Sequence, residues 1–228
     1  MKTLRLLGLL LTASVLMLLA ACSDSDNNDG TTDPDPETGI IGDGSIDGSY
    51  EITTNVVFKK GTYQLKGWVY VTKGGSVTFE PGCIIKGEKE TMAALIIEPG
   101  SKIYAQGTAS EPIVFTSAQA KGNRKPGDWG GLIICGNAKT NNGTQLAIEG
   151  GPRTLYGGSN DADNSGVLSY VRVEFAGYPF EVNKEINGVT FGAVGSATKV
   201  DHVQVSYSND DSFEWFGGTV SAKYLVAY

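Results

Sequence analysis

A short corner motif occurs three times in the first half of the chain, and it limits the possible folds more than any other feature. Each copy has an apolar residue, polar or proline positions before a glycine, and a β-branched residue at its end. The copies are 71–77 (VTKGGSV), 79–85 (FEPGCII) and 97–103 (IEPGSKI). Short strands that alternate with glycine corners are typical of stacked β-coils, so the motif predicts a β-solenoid.

A second repeat lies nearer the C-terminal end. Segment 169–175 (SYVRVEF) aligns with 201–207 (DHVQVSY). Segment 222–228 (AKYLVAY) also aligns with 201–207, so that Tyr228 lies over Tyr207. Alternating apolar and polar residues in these segments predict strands with one buried face. Coils of roughly 20 to 30 residues with aliphatic ladders inside are typical of a parallel β-helix. The alternative is a β-sandwich, which also has short strands but no reason to repeat a corner.

Residues 1–21 have the layout of a secretory signal peptide. Lys2 and Arg5 precede an apolar run that is shorter than the ~20 residues needed to cross a bilayer. The segment 19–22 (LAAC) resembles the bacterial lipobox. This resemblance implies cleavage before Cys22 and lipidation of its thiol, and an ordinary cleaved signal with a chance cysteine is the alternative. Two or three acyl chains would hold the protein at a membrane.

Residues 22–48 are rich in acidic and small polar residues, and we predict a disordered acidic tether there. Acidic residues so close to the cysteine resemble the surface-export signal of lipoproteins from Bacteroidota, although a solvated linker explains them equally well. The resemblance to lipoproteins also implies sorting to the outer membrane, because Ser23 rather than Asp follows the cysteine. We therefore expect a lipid-anchored protein of the outer membrane that is exposed at the cell surface.

Residues 49–228 read as one all-β domain. The whole chain has 18 Lys and Arg against 25 Asp and Glu, a balance that argues against nucleic acid as a partner. A solenoid normally ends in a cap, and the residues before Tyr228 have no capping character, so we expect the sequence to be truncated at the C-terminal end. Cys83 and Cys135 lie in apolar runs, and the sequence is consistent either with two buried free thiols or with a disulfide between them.

Three segments carry a resemblance to a known group of proteins. They are 127–134 (GDWGGLII), 166–177 (GVLSYVRVEFAG) and 208–219 (SNDDSFEWFGGT). These segments resemble the right-handed parallel β-helix lipoproteins of Bacteroidota, which are similar in fold to the pectate-lyase-like superfamily. The resemblance covers roughly residues 50–228 and implies the fold, whereas a fold alone does not imply an activity.

The segment 209–215 (NDDSFEW) is the best candidate site in the sequence. Asp210, Asp211 and Glu214 offer the hard oxygen ligands that Ca²⁺ prefers, which makes calcium the one cofactor that the residues suggest. Asp210 and Asp211 are also candidates for acid and base roles on a glycan. The alternative is a solvated turn between coils.

Arg172 and the loop 121–129 are two further candidates for interaction with a glycan. Lyases of this fold typically remove a proton with Lys or Arg, so the resemblance makes Arg172 a catalytic candidate, and the register places it near His202. An ion pair of Arg172 with Glu174 or with a carboxylate of a neighbouring coil is the alternative.

The loop 121–129 is basic in an otherwise acidic chain. Arg124 and Lys125 could bind an acidic glycan while Trp129 stacks on a sugar. The alternative is that Trp129 covers the hydrophobic core.

These observations favour a membrane-anchored surface lipoprotein whose β-helix is a non-catalytic binding or scaffolding surface. Its expected partners are the membrane and either a polysaccharide or an outer-membrane protein. The alternative is a polysaccharide lyase or glycoside hydrolase of the pectate-lyase-like fold that acts on an acidic glycan. An enzyme needs an acid–base pair and a charge neutraliser in one groove, and the sequence shows a single acidic cluster.

Overall fold

The computed structural model describes residues 39–181 and 184–228. The predicted signal peptide, the predicted lipidation site Cys22 and the predicted tether up to residue 38 lie outside the described residues. Among the described residues there is no helix with the length and apolarity needed to cross a membrane. The strands in chain order are β1 Ile40–Ile41, β2 Glu51–Ile52, β3 Asn55–Phe58, β4 Thr62–Leu65, β5 Trp68–Val71, β6 Ser76–Phe79, β7 Ile84–Gly87, β8 Ala94–Ile97, β9 Lys102–Gln106, β10 Ile113–Ser117, β11 Leu132–Cys135, β12 Leu146–Ala147, β13 Leu155–Tyr156, β14 Gly166–Glu174, β15 Pro179–Glu181, β16 Lys184–Glu185, β17 Val189–Gly192, β18 Lys199–Ser206, β19 Phe213–Phe216 and β20 Ser221–Ala227.

The strands form two large sheets in which every pairing is parallel. Sheet A has the order β1-β4-β7-β10-β14-β9-β6-β3, with β18 paired to β14 and β20 to β18, and sheet B has the order β19-β17-β11-β8-β5-β2. In sheet A, β14 pairs with β9 over 166–169 and with β10 over 171–173, because the chain turns at Tyr170 between the two halves. Sheet A therefore forms two faces and sheet B a third. This is the predicted right-handed parallel β-helix, and the β-sandwich alternative is wrong.

The glycine corners have the same backbone conformation in all three copies of the first repeat. Gly74, Gly82 and Gly100 have φ values of 83°, 82° and 86°, a region that glycine enters without steric cost. Ser76 pairs with Lys102, so the copies at 71–77 and 97–103 are the same corner of two successive coils. The copy at 79–85 is the next corner of the coil that begins at 71–77.

The second repeat is confirmed for one pair of strands and corrected for the other. Val171 pairs with Val203, as predicted, but Val205 pairs with Ala227, which is one residue away from the predicted alignment. A shift of one residue exchanges the two faces of a strand. Val226, predicted to point inward, is instead 51% exposed.

Aliphatic ladders fill the interior of the coils. In sheet B, Val69, Leu95, Leu132, Val189 and Phe213 follow one another in register. The first four are buried, and burial of each such side chain contributes about 1.5–3 kcal/mol. Stacked coils are therefore stabilised by an apolar residue at the same position of each turn.

The outer face of sheet B is covered by residues 136–165, which we call the covering segment. Ile148 and Tyr156 of this segment belong to the same buried cluster as Tyr70 and Ile133 of the sheet. Cys135 is part of this cluster as well, and both Cys135 and Cys83 are free and buried. The covering segment therefore packs against residues of sheet B that are distant from it in the sequence, such as Tyr70.

The ordered β-helix begins earlier than the predicted boundary at residue 49. Ile40 and Ile41 pair with β4, and Ile41 is buried. The tether predicted for residues 22–48 is therefore wrong from residue 39 onward, since Ile40 and Ile41 form a strand of sheet A and Ile41 belongs to the same buried core as Leu65.

Candidate functional site

Five carboxylates gather where sheet B meets the covering segment, and we call them the acidic cluster. Asp210 and Asp211 precede β19, Glu214 lies on β19, Glu149 comes from the covering segment and Glu185 from β16. Glu214 pairs with Thr190 of β17, and it alternates with the inward-facing Phe213. Its carboxyl group therefore points outward, toward the covering segment.

Burial, together with repulsion between neighbouring carboxylates, raises the pKa values of Glu149, Asp210 and Glu214 in the acidic cluster. Burial and then the charges of Glu149, Asp211 and Asp210 raise the pKa of Glu214 to about 7. Burial also raises the pKa of Glu149, with the charges of Asp210 and Glu185 acting in the same direction. The pKa of Asp210 is raised by burial, by Asp211 and by Glu185. A carboxyl group with a pKa near neutrality can donate or accept a proton under physiological conditions.

Asn187 holds Glu214 in place from the end of the adjacent coil. It is 3% exposed, and its Nδ2 donates a hydrogen bond to Oε2 of Glu214. Its Oδ1 is buried and has no hydrogen-bond partner among the described residues. An unpaired buried acceptor of this kind costs about 1–3 kcal/mol.

The predicted calcium ligands Asp210, Asp211 and Glu214 thus belong to one cluster. The part of the chain that the structure describes contains no group of three His, Cys, Asp or Glu side chains arranged to hold a metal ion. Calcium at these residues stays a prediction, and it would require backbone carbonyls or waters as further ligands.

A second candidate site lies on sheet A and contains Arg172. This cleft, which we call the Arg172 cleft, has a volume of about 250 Å³. Its lining residues are Thr108, Ala109, Pro112, Tyr170, Val171, Arg172, His202 and Gln204. Arg172 is exposed, and within residues 39–181 and 184–228 it forms no ion pair or hydrogen bond. The carboxylate of Glu174 instead accepts a hydrogen bond from Thr116 at 2.9 Å, and the alternative ion pair between Arg172 and Glu174 does not form.

An aromatic stack forms one wall of the Arg172 cleft. The His202 ring lies between Tyr170 and Tyr224, with centroid distances of 4.4 Å and 4.5 Å. All three residues have positive φ values, of 51°, 52° and 57°. This conformation is uncommon for residues with a side chain, and it turns the rings outward at the same position of three successive coils.

Asp201 fixes the orientation of the histidine. Its Oδ1 lies 2.9 Å from Nδ1 of His202 and accepts a hydrogen bond from Ser169 at 2.5 Å. Burial acts to raise the pKa of Asp201, but His202, Ser169 and Lys199 outweigh it and lower that pKa to about 2. Asp201 therefore stays ionised beside the imidazole ring.

The basic loop is not a sugar-stacking surface. Trp129 is fully buried, and its Nε1 donates a hydrogen bond to the carbonyl oxygen of Glu174 at 2.8 Å. The prediction that Trp129 stacks on a glycan is wrong, because its ring packs inside the coil beside Gly87. The Nε of Arg124 donates a hydrogen bond to the carbonyl oxygen of Gln119, whereas Lys125 is exposed.

The buried Asp128 explains why this loop keeps its shape. Its carboxylate accepts hydrogen bonds from Ser117 at 2.7 Å, from the backbone N–H of Lys125 at 2.9 Å and from Lys89 at 3.1 Å. The side chain of Asp128 is 1% exposed. Burial raises its pKa, but these three donors together lower it, so the carboxylate is ionised in the folded protein.

Sequence reasoning missed Glu149, Glu185 and Asn187. Nothing in the sequence connects them with Glu214, because each lies in or beside a connecting loop far away along the chain. Asn187 is followed by glycine and has the pattern of a simple turn. Tyr170 could have been found, since it aligns with His202 in the predicted register.

Comparison with known proteins supports the architecture described above. Residues 50–228 match the family described as a pectate-lyase like beta helix domain. Comparisons with curated proteins and with solved structures found no match. The match covers most of the chain and coincides with the stacked coils. The chain therefore belongs to the pectate-lyase-like β-helix domain family.

Proposed function

We propose that this protein is a membrane-anchored surface lipoprotein whose β-helix is a non-catalytic module that binds an acidic polysaccharide. The observation that carries the proposal is the unpaired guanidinium of Arg172 in a cleft of about 250 Å³. Arginine presents several N–H donors in one plane and binds carboxylates through two parallel hydrogen bonds. An arginine without a protein partner is therefore suited to a carboxylate of a ligand.

The other walls of the Arg172 cleft supply contacts that suit a sugar ring. Tyr170 and His202 place aromatic rings in the wall of the cleft, and the Gln204 amide offers both a donor and an acceptor. Arg172 pairs in register with Gln204 of the next coil, so the cleft presents two polar side chains on adjacent coils. A polymer running along the axis of the β-helix could contact successive coils in this way.

Calorimetric titration with an oligogalacturonate and with a neutral oligosaccharide of equal length tests this proposal. We expect binding of the acidic ligand only, weakened about tenfold or more by Arg172→Gln, since charge-assisted hydrogen bonds contribute about 1.5–3 kcal/mol. Lys139→Gln is the control, because Lys139 is exposed and belongs to the covering segment on sheet B rather than to sheet A. Unchanged affinity in Arg172→Gln would contradict the assignment of the cleft, and binding of an outer-membrane protein instead of any glycan would contradict the ligand class.

The anchor is proposed from Cys22 and the lipobox resemblance. Expression with a radiolabelled fatty acid tests it, with Cys22→Ala as the matched variant. We expect label in the wild-type protein and none in the variant, and protease added to intact cells should degrade the wild-type protein if it faces the exterior. Label retained in Cys22→Ala would contradict lipidation at this residue.

A polysaccharide lyase or hydrolase is the second candidate function, and Glu214 is the observation that favours it. Its pKa of about 7 is typical of a general acid, and Asp210 and Asp211 lie in the same cluster. Incubation with acidic and neutral polysaccharides, followed by assays for reducing ends and unsaturated products, tests for this activity. Activity that is lost in Glu214→Gln would establish an enzyme, and the absence of products from every substrate would argue against one.

A further inference from the structure

We propose that the acidic polysaccharide spans three coils of the β-helix and binds Lys86 and Arg124 as well as Arg172. This inference rests on the function proposed for the Arg172 cleft, and it adds two binding residues and a minimum length for the ligand. We call these three residues the cationic strip, because they lie on or over three neighbouring strands of sheet A, which are β7, β10 and β14.

The first argument is the register of sheet A. Lys86 pairs with Thr116 of β10, and Val114, which lies two residues earlier on β10, pairs with Arg172. The chain neighbours of Lys86 and of Arg172 are buried on both sides, so both cationic side chains point away from the core. Adjacent strands are about 4.8 Å apart and successive residues about 3.3 Å, which places the two Cα atoms about 12 Å apart on one face.

The second argument is the position of Arg124 between the other two cations. Its Nη1 donates a hydrogen bond to Oγ1 of Thr116 at 3.3 Å, and its Nε donates one to the carbonyl oxygen of Gln119 at 3.1 Å. Because Thr116 lies beside Lys86 in the register, these bonds hold the guanidinium over β10. They leave its second terminal nitrogen without a partner among the described residues, so this nitrogen can donate to a carboxylate of a ligand.

The third argument is the charge of this face. Within residues 39–181 and 184–228, neither Lys86 nor Arg172 takes part in an ion pair. Among the described outward side chains of β7, β10 and residues 171–174, the one carboxylate is that of Glu174, which accepts the hydrogen bond from Thr116. The cationic strip is therefore locally positive in a chain whose net charge is −7, and it suits a ligand with several negative charges.

The fourth argument is the surface between the cations. Lys86 and Thr62 line a cleft of about 530 Å³, and Arg172 lines the cleft of about 250 Å³ described above. Ile84 and Val114 lie in register between Thr62 and Arg172, and Ile84 is 36% exposed. Ligand sites typically combine apolar surface with a few polar groups that fix the orientation of the ligand. Two clefts joined by apolar side chains suit an extended sugar chain better than a single small anion.

Calorimetric titration of the full chain with a galacturonate dimer and with a hexamer tests the proposal. We expect the hexamer to bind about tenfold more tightly than the dimer or better, because only the longer chain reaches both ends of the cationic strip. Lys86→Gln and Arg124→Gln should each weaken binding of the hexamer about tenfold, since each removes a charge-assisted contact. Lys139→Gln, which removes an exposed positive charge on the covering segment, should leave both affinities unchanged.

Several results would overturn the proposal. Equal affinity for the dimer and the hexamer, or full hexamer affinity in both Lys86→Gln and Arg124→Gln, would confine the ligand to the Arg172 cleft and leave the proposed function intact. Absence of binding by every acidic oligosaccharide would contradict both proposals. Equally tight binding of a hexaglutamate peptide would indicate an acidic protein partner and contradict the ligand class. Melting curves of each variant separate loss of binding from loss of folding.

Discussion

Replacement of Glu214 by glutamine should make the protein more stable at alkaline pH but not at acidic pH. The ordinary pKa of a glutamate is 4.5, and in the folded protein burial and neighbouring carboxylates raise the pKa of Glu214 to about 7. Between these two values the folded state holds a proton that the unfolded state has released. The free energy of unfolding therefore falls as the pH rises through this interval.

The magnitude follows from the difference between the two pKa values. Each pKa unit corresponds to about 1.4 kcal/mol, so the ionised Glu214 destabilises the folded protein by at most about 3 kcal/mol above neutral pH. Glu214 is partly exposed, and solvent screening reduces this to about 1–3 kcal/mol. Glutamine can still accept the hydrogen bond from Asn187 but carries no charge at any pH.

Urea denaturation of both proteins at about pH 4 and about pH 8 measures the effect. We expect Glu214→Gln to gain about 1–3 kcal/mol relative to the wild type between the two pH values. The comparison between pH values removes any constant effect of the substitution on packing. Glu90→Gln, which removes an exposed carboxylate elsewhere, should show no such gain. A difference between Glu214→Gln and wild type that is the same at both pH values would refute the reasoning.

Three further predictions concern the fold around the sites. Asp128→Ala should lower the free energy of unfolding by about 3–5 kcal/mol at neutral pH, measured in urea, because it leaves the partners of a buried carboxylate unpaired. Gly166→Ala should prevent normal folding, measured by circular dichroism, since φ is +108° and the added carbon would overlap the carbonyl of Ile103. Leu225→Lys should destabilise the last strand pair while Val226→Lys has little effect, and equal melting temperatures of these two variants would contradict the register of β20.

The sequence alone was sufficient to predict the parallel β-helix and most of its local features. Gly74, Gly82 and Gly100 adopt the corner conformation that their spacing indicated, because positive φ is a local property of glycine. The pairing of Val171 with Val203 also followed from alternation, which reports the buried face of each strand. For β20 the alternation was ambiguous, because both Leu225 and Val226 are apolar, and the outward turn at Tyr224 decided the register.

The candidate sites depended on the tertiary structure to a much greater extent. The acidic residues of segment 209–215 can be read from the sequence, but the pKa of Glu214 also depends on burial and on Glu149, and its hydrogen bond comes from Asn187. Only the stacking of coils and the covering segment bring these residues to Glu214. Trp129 shows the same limit, since its sequence context favours a core residue but does not exclude a sugar-stacking ring. Sequence determines backbone preference and the pattern of apolar residues, because these act over a few neighbouring positions. Burial, charge repulsion and unpaired acceptors arise between residues distant along the chain, and only the folded coil determines them.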